Sequence, residues 1–190
     1  SNAYQIPTLI VFSKSDTYLE EELLEIETIR KIYTNLGINC LLISCYKKKD
    51  ISKILDLIKN KTTLFSGNSG VGKSTLINYL NPKLNLKTQS VSKSSNKGRH
   101  TTTFAQMYDV DKNTRVIDSP GIKGFGLVDI EKNEIYRYFP ELLEASKKCR
   151  FKNCIHIDEP ECEVKKRLVT GEISNYRYES YINLIHEKNN

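Results

Sequence analysis

The stretch that decides the fold is Gly67-Asn68-Ser69-Gly70-Val71-Gly72-Lys73-Ser74, followed by Thr75. Its spacing is G-x-x-x-x-G-K-S. Before it, Thr62-Thr63-Leu64-Phe65 is a short β-branched and apolar run that predicts a buried strand; after it, Leu76, Ile77 and Leu80 recur at helical spacing. Strand, glycine-rich turn and helix in that order aim a row of backbone N–H groups at one point, at a helix N-terminus where negative charge is favoured. The backbone of Asn68, Ser69, Gly70, Val71, Gly72, Lys73, Ser74 and Thr75 is expected to cradle a polyphosphate. Lys73 would reach the β- and γ-phosphates, a binding and a catalytic role together, and Ser74 would place its hydroxyl on Mg²⁺.

Working outward, Val116-Ile117-Asp118-Ser119-Pro120-Gly121 is an apolar strand that ends in D-x-x-G, about forty-five residues after the loop. Asp118 would hold the same Mg²⁺ through water, and the Gly121 N–H would meet the γ-phosphate and sense its loss. Upstream, Pro7-Thr8-Leu9-Ile10-Val11-Phe12 reads as a central strand closed by Ser13-Lys14-Ser15-Asp16. That tetrad is close to N-K-x-D, with Ser in the first place. The Asp16 carboxylate can accept both N1–H and the 2-amino group of guanine, donors that adenine lacks in that geometry. Lys14 would lay its stem over the base. Ser44-Cys45, at the end of the next strand, would supply a backbone N–H to guanine O6. Elements that read the base thus precede those that hold the phosphates, so the strands of one sheet are expected to be traversed in permuted order, a cheap rearrangement when chain termini lie close together.

Strands and helices alternate up to about residue 129: apolar spacing predicts helices over 19–36, with Gly37 as C-cap, and over 51–58, capped by Asp50, while 104–110 and 114–117 read as two strands around a turn. This favours a mostly parallel, doubly wound α/β sheet with ligands at the C-terminal ends of its strands. Beyond residue 130 the pattern changes to short helices and a Cys/His cluster. Cys149, Cys154, His156 and Cys162 form C-x4-C-x-H-x5-C, a donor set suited to a closed tetrahedral structural zinc site. The expected division is therefore a tag remnant at 1–3, a nucleotide domain over 4–129 and a zinc-bearing helical subdomain over 130–190. The abrupt strand after Tyr4 is read as the trace of a removed N-terminal piece.

Composition bounds the function. The net charge is +6, and no acidic residue lies between Asp56 and Asp109, an interval holding Lys59, Lys61, Lys73, Lys83, Lys87, Lys93, Lys97 and Arg99. Such a stretch concentrates positive potential on polyanions. Five cysteines, three of them in the cluster, suit a reducing compartment better than a disulfide framework. With 38% hydrophobic residues and no apolar run near the roughly 20 residues that span a bilayer, no membrane partner is expected.

Taken together, 13–16, 67–74, Gly98-Arg99-His100-Thr101-Thr102-Thr103, 118–121 and the Cys-His cluster resemble the RsgA (YjeQ) family of circularly permuted GTPases that assist assembly of the bacterial small ribosomal subunit. The resemblance implies a circularly permuted P-loop GTPase fold with a small zinc-binding C-terminal subdomain, GTP or GDP with Mg²⁺ and Zn²⁺, a cytoplasmic monomer, and the 30S subunit and its rRNA as partner. It further implies that 98–103 is switch I, that Thr101 or Thr102 completes the Mg²⁺ shell, and that His100 orients the attacking water. Ile122 cannot hydrogen-bond, so His100, an rRNA group or a bound ion must do so. The helix carrying Arg177, Tyr178 and Tyr181 is expected to engage the subunit, and the family's N-terminal RNA-gripping OB-fold has no counterpart before Pro7. Two rivals remain: an ATPase or small-molecule kinase using the same loop, and a zinc-bearing RNA-binding module with a degenerate nucleotide site.

Overall fold

In the computed structural model, which describes residues 1–86, 104–119 and 130–187, the apolar runs become four-residue strands: β1 Leu9–Phe12, β2 Asn39–Leu42, β3 Thr62–Phe65, β4 Gln106–Asp109 and β5 Arg115–Asp118. Helices α1 (Glu20–Asn35), α2 (Lys48–Ile58) and α3 (Lys73–Leu80) connect or follow the first three, and α4 (Pro140–Ser146), α5 (Glu163–Val169) and α6 (Asn175–Glu187) make up the C-terminal part. Among the described residues no strand follows β5.

β1 pairs with β2, and β3, β5 and β4 lie side by side in that order. β3 and β5 run parallel with Phe65 opposite Asp118, while β4 is antiparallel to β5 with Gln106 opposite Asp118. The parallel sheet therefore carries an antiparallel edge. The link over 110–114 is a tight turn, closed by Val110 N–H donating to Thr114 O at 2.8 Å, and a parallel crossover would need a dozen or more residues.

The chain divides into two compact units. One comprises Ile10–Glu27 and Cys40–Gly124. Its core takes Ile51, Ile54 and Ile58 from one face of α2, Leu76, Ile77 and Leu80 from α3, and Val116 from the centre of β5, all buried. Each such side chain contributes about 1.5–3 kcal/mol when removed from water. Helix α2 begins at Lys48, two residues before the Asp50 cap that the sequence suggests, and Asp50 is buried within the first turn. Its carboxylate turns back to accept the Ser44 N–H at 3.1 Å, so it organises the preceding loop instead of capping its own helix. Gly37 does close α1 as expected: it adopts φ 76 and donates its N–H to Thr34 O at 2.9 Å.

The other unit gathers Ser1–Leu9, Thr28–Asn39 and Phe125–Asn190. Ile135, Phe139, Leu142, Ala145, Val164, Ile173, Tyr181 and Ile185 form its core together with Cys154 and Cys162. Arg177 of α6 is nearly buried in it. Its Nε donates to Glu141 Oε1 at 2.6 Å, and its guanidinium lies 4.5 Å from the Phe139 ring centroid and 5.2 Å from that of Tyr33 in α1.

Candidate functional site

The loop between β3 and α3 owes its path to glycine. Gly67 (φ 154) and Gly72 (φ 98) sit where L side chains are strained, and a Cβ on Gly67 would meet Val71 Cγ2 at 3.3 Å. Gly72 stands immediately before α3, so the N–H groups of the first turn face the hollow of the loop. Lys73 bends back across it: Nζ donates to Gly67 O at 2.6 Å and to Asn68 O at 3.1 Å. Burial pulls its pKa below the ordinary value, and the Asp118 charge works the other way. Because β3 and β5 are parallel neighbours with Phe65 and Asp118 in register, the loop after β3 meets the end of β5. Ser74 Oγ accordingly donates to the buried Asp118 Oδ2 at 3.1 Å, and Ser119 ties the two strand ends together through Phe65 O at 2.9 Å. The hydroxyl and carboxylate expected to share a magnesium ion are thus side by side.

The segment after β1 is brought to the same loop. Ser13 Oγ donates to Val71 O at 2.6 Å across 58 residues of sequence. Lys14 takes a left-handed conformation (φ 61), and its carbonyl accepts both the N–H and the hydroxyl of Thr17 at 2.9 Å, which fixes a tight turn around Asp16. The Ser44 hydroxyl hydrogen-bonds the Asp16 carboxylate and, with Lys47 and Lys14 nearby, holds its pKa below the usual value. Tyr46 N–H donates to Ser44 Oγ at 3.2 Å, so Ser44 is fixed from three sides by Asp16, Asp50 and Tyr46. Burial, and then the Asp16 charge, push the Cys45 thiol up, so it stays neutral. The structure brings Ser44 and Cys45 beside the Ser13–Asp16 turn, and Asp50, which the sequence suggested only as a helix cap, proves to support Ser44. His100, Thr101, Thr102 and Gly121 lie outside the described residues.

The Cys-His cluster assembles in the second unit. Cys149 Sγ, Cys154 Sγ and Cys162 Sγ lie 3.6, 3.2 and 3.5 Å from His156 Nδ1, and Cys149 Sγ is 4.0 Å from Cys162 Sγ. A tetrahedron with metal–ligand bonds of about 2.0–2.3 Å spaces its ligand atoms by about 3.5–3.8 Å; the four donors all lie within 4.8 Å of one another, a set that could close on a zinc ion. Burial lowers the His156 pKa, which leaves a neutral ring with a lone pair to offer. Burial also raises Cys162, and it raises Cys154 to about 12. His156 itself has φ 63, a conformation maintained by its neighbours. The Tyr178 hydroxyl donates to His156 O at 2.6 Å, the Tyr181 hydroxyl to Ile155 O, and the Glu159 carboxylate accepts Ile155 N–H at 2.7 Å and Ile157 N–H at 2.9 Å. The Tyr136 ring stands edge-on to the imidazole at 4.9 Å. Arg177, Tyr178 and Tyr181 of the helix expected to engage the subunit therefore turn their side chains inward. Tyr181 is fully buried, Arg177 nearly so, and all three brace the cluster or the core around it. Their spacing on α6 points them inward, where a charged group survives because Glu141 meets it.

A glycine-rich loop between β3 and α3, the Ser13–Asp16 turn upstream of it in sequence and a Cys₃His group downstream that could hold a metal fit a circularly permuted P-loop nucleotide-binding fold. Residues 1–128 match the family model described as RsgA GTPase, and the chain belongs to that family. It is 49% identical over 185 residues to the small ribosomal subunit biogenesis GTPase RsgA of Flavobacterium psychrophilum, covering 97% of this chain and 57% of that protein. It is 45% identical over 188 residues to the protein of the same name from Bacteroides fragilis, covering 99% and 61%. Its fold is similar to the crystal structure of YjeQ from Thermotoga maritima, with a TM-score of 0.78 and 34% identity over 96% of this chain and 60% of that one. It is also similar to YloQ, described as a circularly permuted GTPase, with a TM-score of 0.71 and 29% identity over 94% and 56%. The permuted fold expected from the order of motifs is borne out, and the chain spans only about three-fifths of the length of these curated relatives.

Proposed function

We propose that this chain carries the GTP-hydrolysing core of a small-subunit assembly factor, with 4–129 performing the nucleotide chemistry and 130–190 forming a zinc-stabilised subdomain that moves with it. One observation carries this reading: the 2.6 Å bond from Ser13 to Val71 joins a guanine-type carboxylate loop to a phosphate-type glycine loop as one pocket. Asp16, ionised and pre-oriented by Ser44, accepts the two donors of guanine's Watson–Crick edge, and the Lys14 stem covers the ring. Lys73 exchanges the carbonyls of Gly67 and Asn68 for β- and γ-phosphate oxygens, so one set of charge-assisted hydrogen bonds replaces another. Ser74 and Asp118 would hold magnesium, Asp118 through water, with Thr101 or Thr102 completing the shell; the ion supplies neutralisation of charge on the transferring phosphoryl group. His100 is the candidate for orienting water and Gly121 for sensing the γ-phosphate. Cys149, Cys154, His156 and Cys162 would hold zinc as a closed structural centre with no open position for substrate.

The names of the relatives extend the proposal to the small ribosomal subunit; basic side chains would meet rRNA phosphates with an affinity that falls with salt, and the proposed compartment is the cytoplasm. Among the described residues no helix is long and apolar enough to cross a membrane. The paired Ser74 and Asp118 and the inward-bent Lys73 argue against a degenerate site, and the carboxylate at Asp16 argues against ATP. The test is steady-state turnover of GTP and ATP by the wild type and Lys73→Ala, with and without purified small subunits. GTP turnover should exceed ATP turnover, rise on adding subunits, and fall by roughly 10²–10³ in the variant. Equal use of ATP, or no response to Lys73→Ala, would refute the proposal.

A further inference from the structure

The donors of the base-reading pocket are already largely committed to the protein itself. A serine hydroxyl has one proton and two lone pairs. The partner of Ser13 Oγ, 2.6 Å away, is the Val71 carbonyl, which can only accept, so the direction of that proton is fixed. The side chain at position 13 then presents nothing but lone pairs to any other neighbour. The same holds around it: the Ser44 hydroxyl serves Asp16, the Ser44 N–H serves Asp50, the Tyr46 N–H serves Ser44 Oγ, and the Ser15 N–H serves Ile43 O. Guanine's Hoogsteen edge, N7 and O6, is made of acceptors and can be read only by donors.

Resting on the guanine reading above, we infer that this pocket discriminates its base through the Watson–Crick donors that meet Asp16, with O6 left to the Cys45 backbone N–H, and leaves N7 unread, because Ser13 is a tether between the two loops and not a base contact. The substrate class is thereby widened to guanine nucleotides altered at N7. An asparagine at this position would behave differently, since one amide N–H can take over the bond to Val71 O while the second remains for an acceptor on the base.

The experiment is calorimetric titration of the full chain and of Ser13→Asn with GDP, 7-deaza-GDP, in which N7 is replaced by C–H, and ADP, each with magnesium. Wild type should bind GDP and 7-deaza-GDP within about twofold of each other, whereas in Ser13→Asn the preference for GDP should rise to about fivefold or more, the worth of one ordinary hydrogen bond. A Ser13→Ala control should weaken both guanine ligands by the same factor while its melting curve reports the fold. A tenfold or greater preference for GDP in the wild type, or an unchanged ratio in Ser13→Asn, overturns the inference while leaving guanine recognition intact. Equal binding of ADP and GDP overturns the guanine reading itself and the inference with it, and the ADP arm tells these outcomes apart.

Discussion

Asp16 shows how much of this pocket is chemistry and how much is position. Its side chain is a hydrogen-bond acceptor only while ionised, and the Ser44 hydroxyl holds its pKa below 3.8. For a depressed carboxylate, the contribution of the charged form is complete above the ordinary value and is lost as pH falls through the folded one. The base recognition proposed for Asp16 should therefore be flat from pH 8 down to pH 5, and a guanine affinity that changes within that window would have to come from another group. The same acceptor logic fixes the outcome of Asp16→Asn. The amide offers a donor where the 2-amino group of guanine also donates, but it pairs with the 2-oxo group of xanthine. Preference should invert from GDP to XDP by about 10²-fold or more, read by competition titration, because each mismatched buried pair leaves polar groups without partners. Sequence made Asp16, Lys73, Ser74 and Asp118 legible because each belongs to a short contiguous pattern whose chemistry is local. It could not show that Ser13 bonds Val71 or that Asp50 supports Ser44, since both depend on where the backbone brings residues of different elements.

At the scale of elements, the edge hairpin is held by one polar chain. Asp111 Oδ1 accepts the N–H groups of Asn113 and Thr114 at 2.9 Å, Asp111 Oδ2 accepts the Thr114 hydroxyl at 2.9 Å, and Thr114 Oγ1 accepts Asn60 N–H at 3.1 Å. Thr114 is buried at 1% exposure, and Asn60 sits at φ 59 in the turn from α2 to β3, so the chain fixes the β4–β5 turn to the entrance of the strand that leads to the phosphate loop. Thr114→Val keeps the shape but deprives Asn60 N–H and Asp111 Oδ2 of their partner. It should cost about 2–3 kcal/mol in urea unfolding with the m-value unchanged. The Asn113 N–H and then the Thr114 hydroxyl hold the Asp111 pKa below 3.8, so its support of the hairpin is whole above that value and disappears as pH falls through the lowered one. The gap between wild type and Thr114→Val should accordingly narrow under strong acid. β5 was readable from its Val116-Ile117 pair and the inward isoleucines of α2 from their helical spacing, whereas β4, Gln106-Met107-Tyr108-Asp109, has no β-branched residue to mark it. The antiparallel edge followed only from the short turn, and the true start of α2 at Lys48 was hidden because no side chain caps it.

At the scale of the molecule, the four candidate zinc donors and the proposed nucleotide site fall in different compact units, so a metal held at the first should be separable from nucleotide binding at the second. Cys154 and Cys162 are core residues of the unit that holds α4, α5 and α6, packed with Leu142, Val164 and Tyr181, and none of the four donors belongs to the unit containing the phosphate loop. The polar supports of the cluster are internal as well: Tyr178, Tyr181 and Glu159 all bond the backbone of 155–157. Zinc binding in small modules is worth on the order of 10 kcal/mol, more than a core of this size supplies by itself, so loss of the metal should unfold the unit and not merely loosen it. Cys162→Ser, or chelation of the wild type, should release one zinc per chain by elemental analysis and remove amide-exchange protection from α5 and α6. Calorimetric GDP affinity should change by less than about threefold, because the contacts proposed for the nucleotide, from Asp16 to Asp118, lie within the other unit. A parallel collapse of GDP binding would show that the two units fold as one cooperative body, and the zinc centre would then be a condition for nucleotide recognition instead of a platform carried beside it.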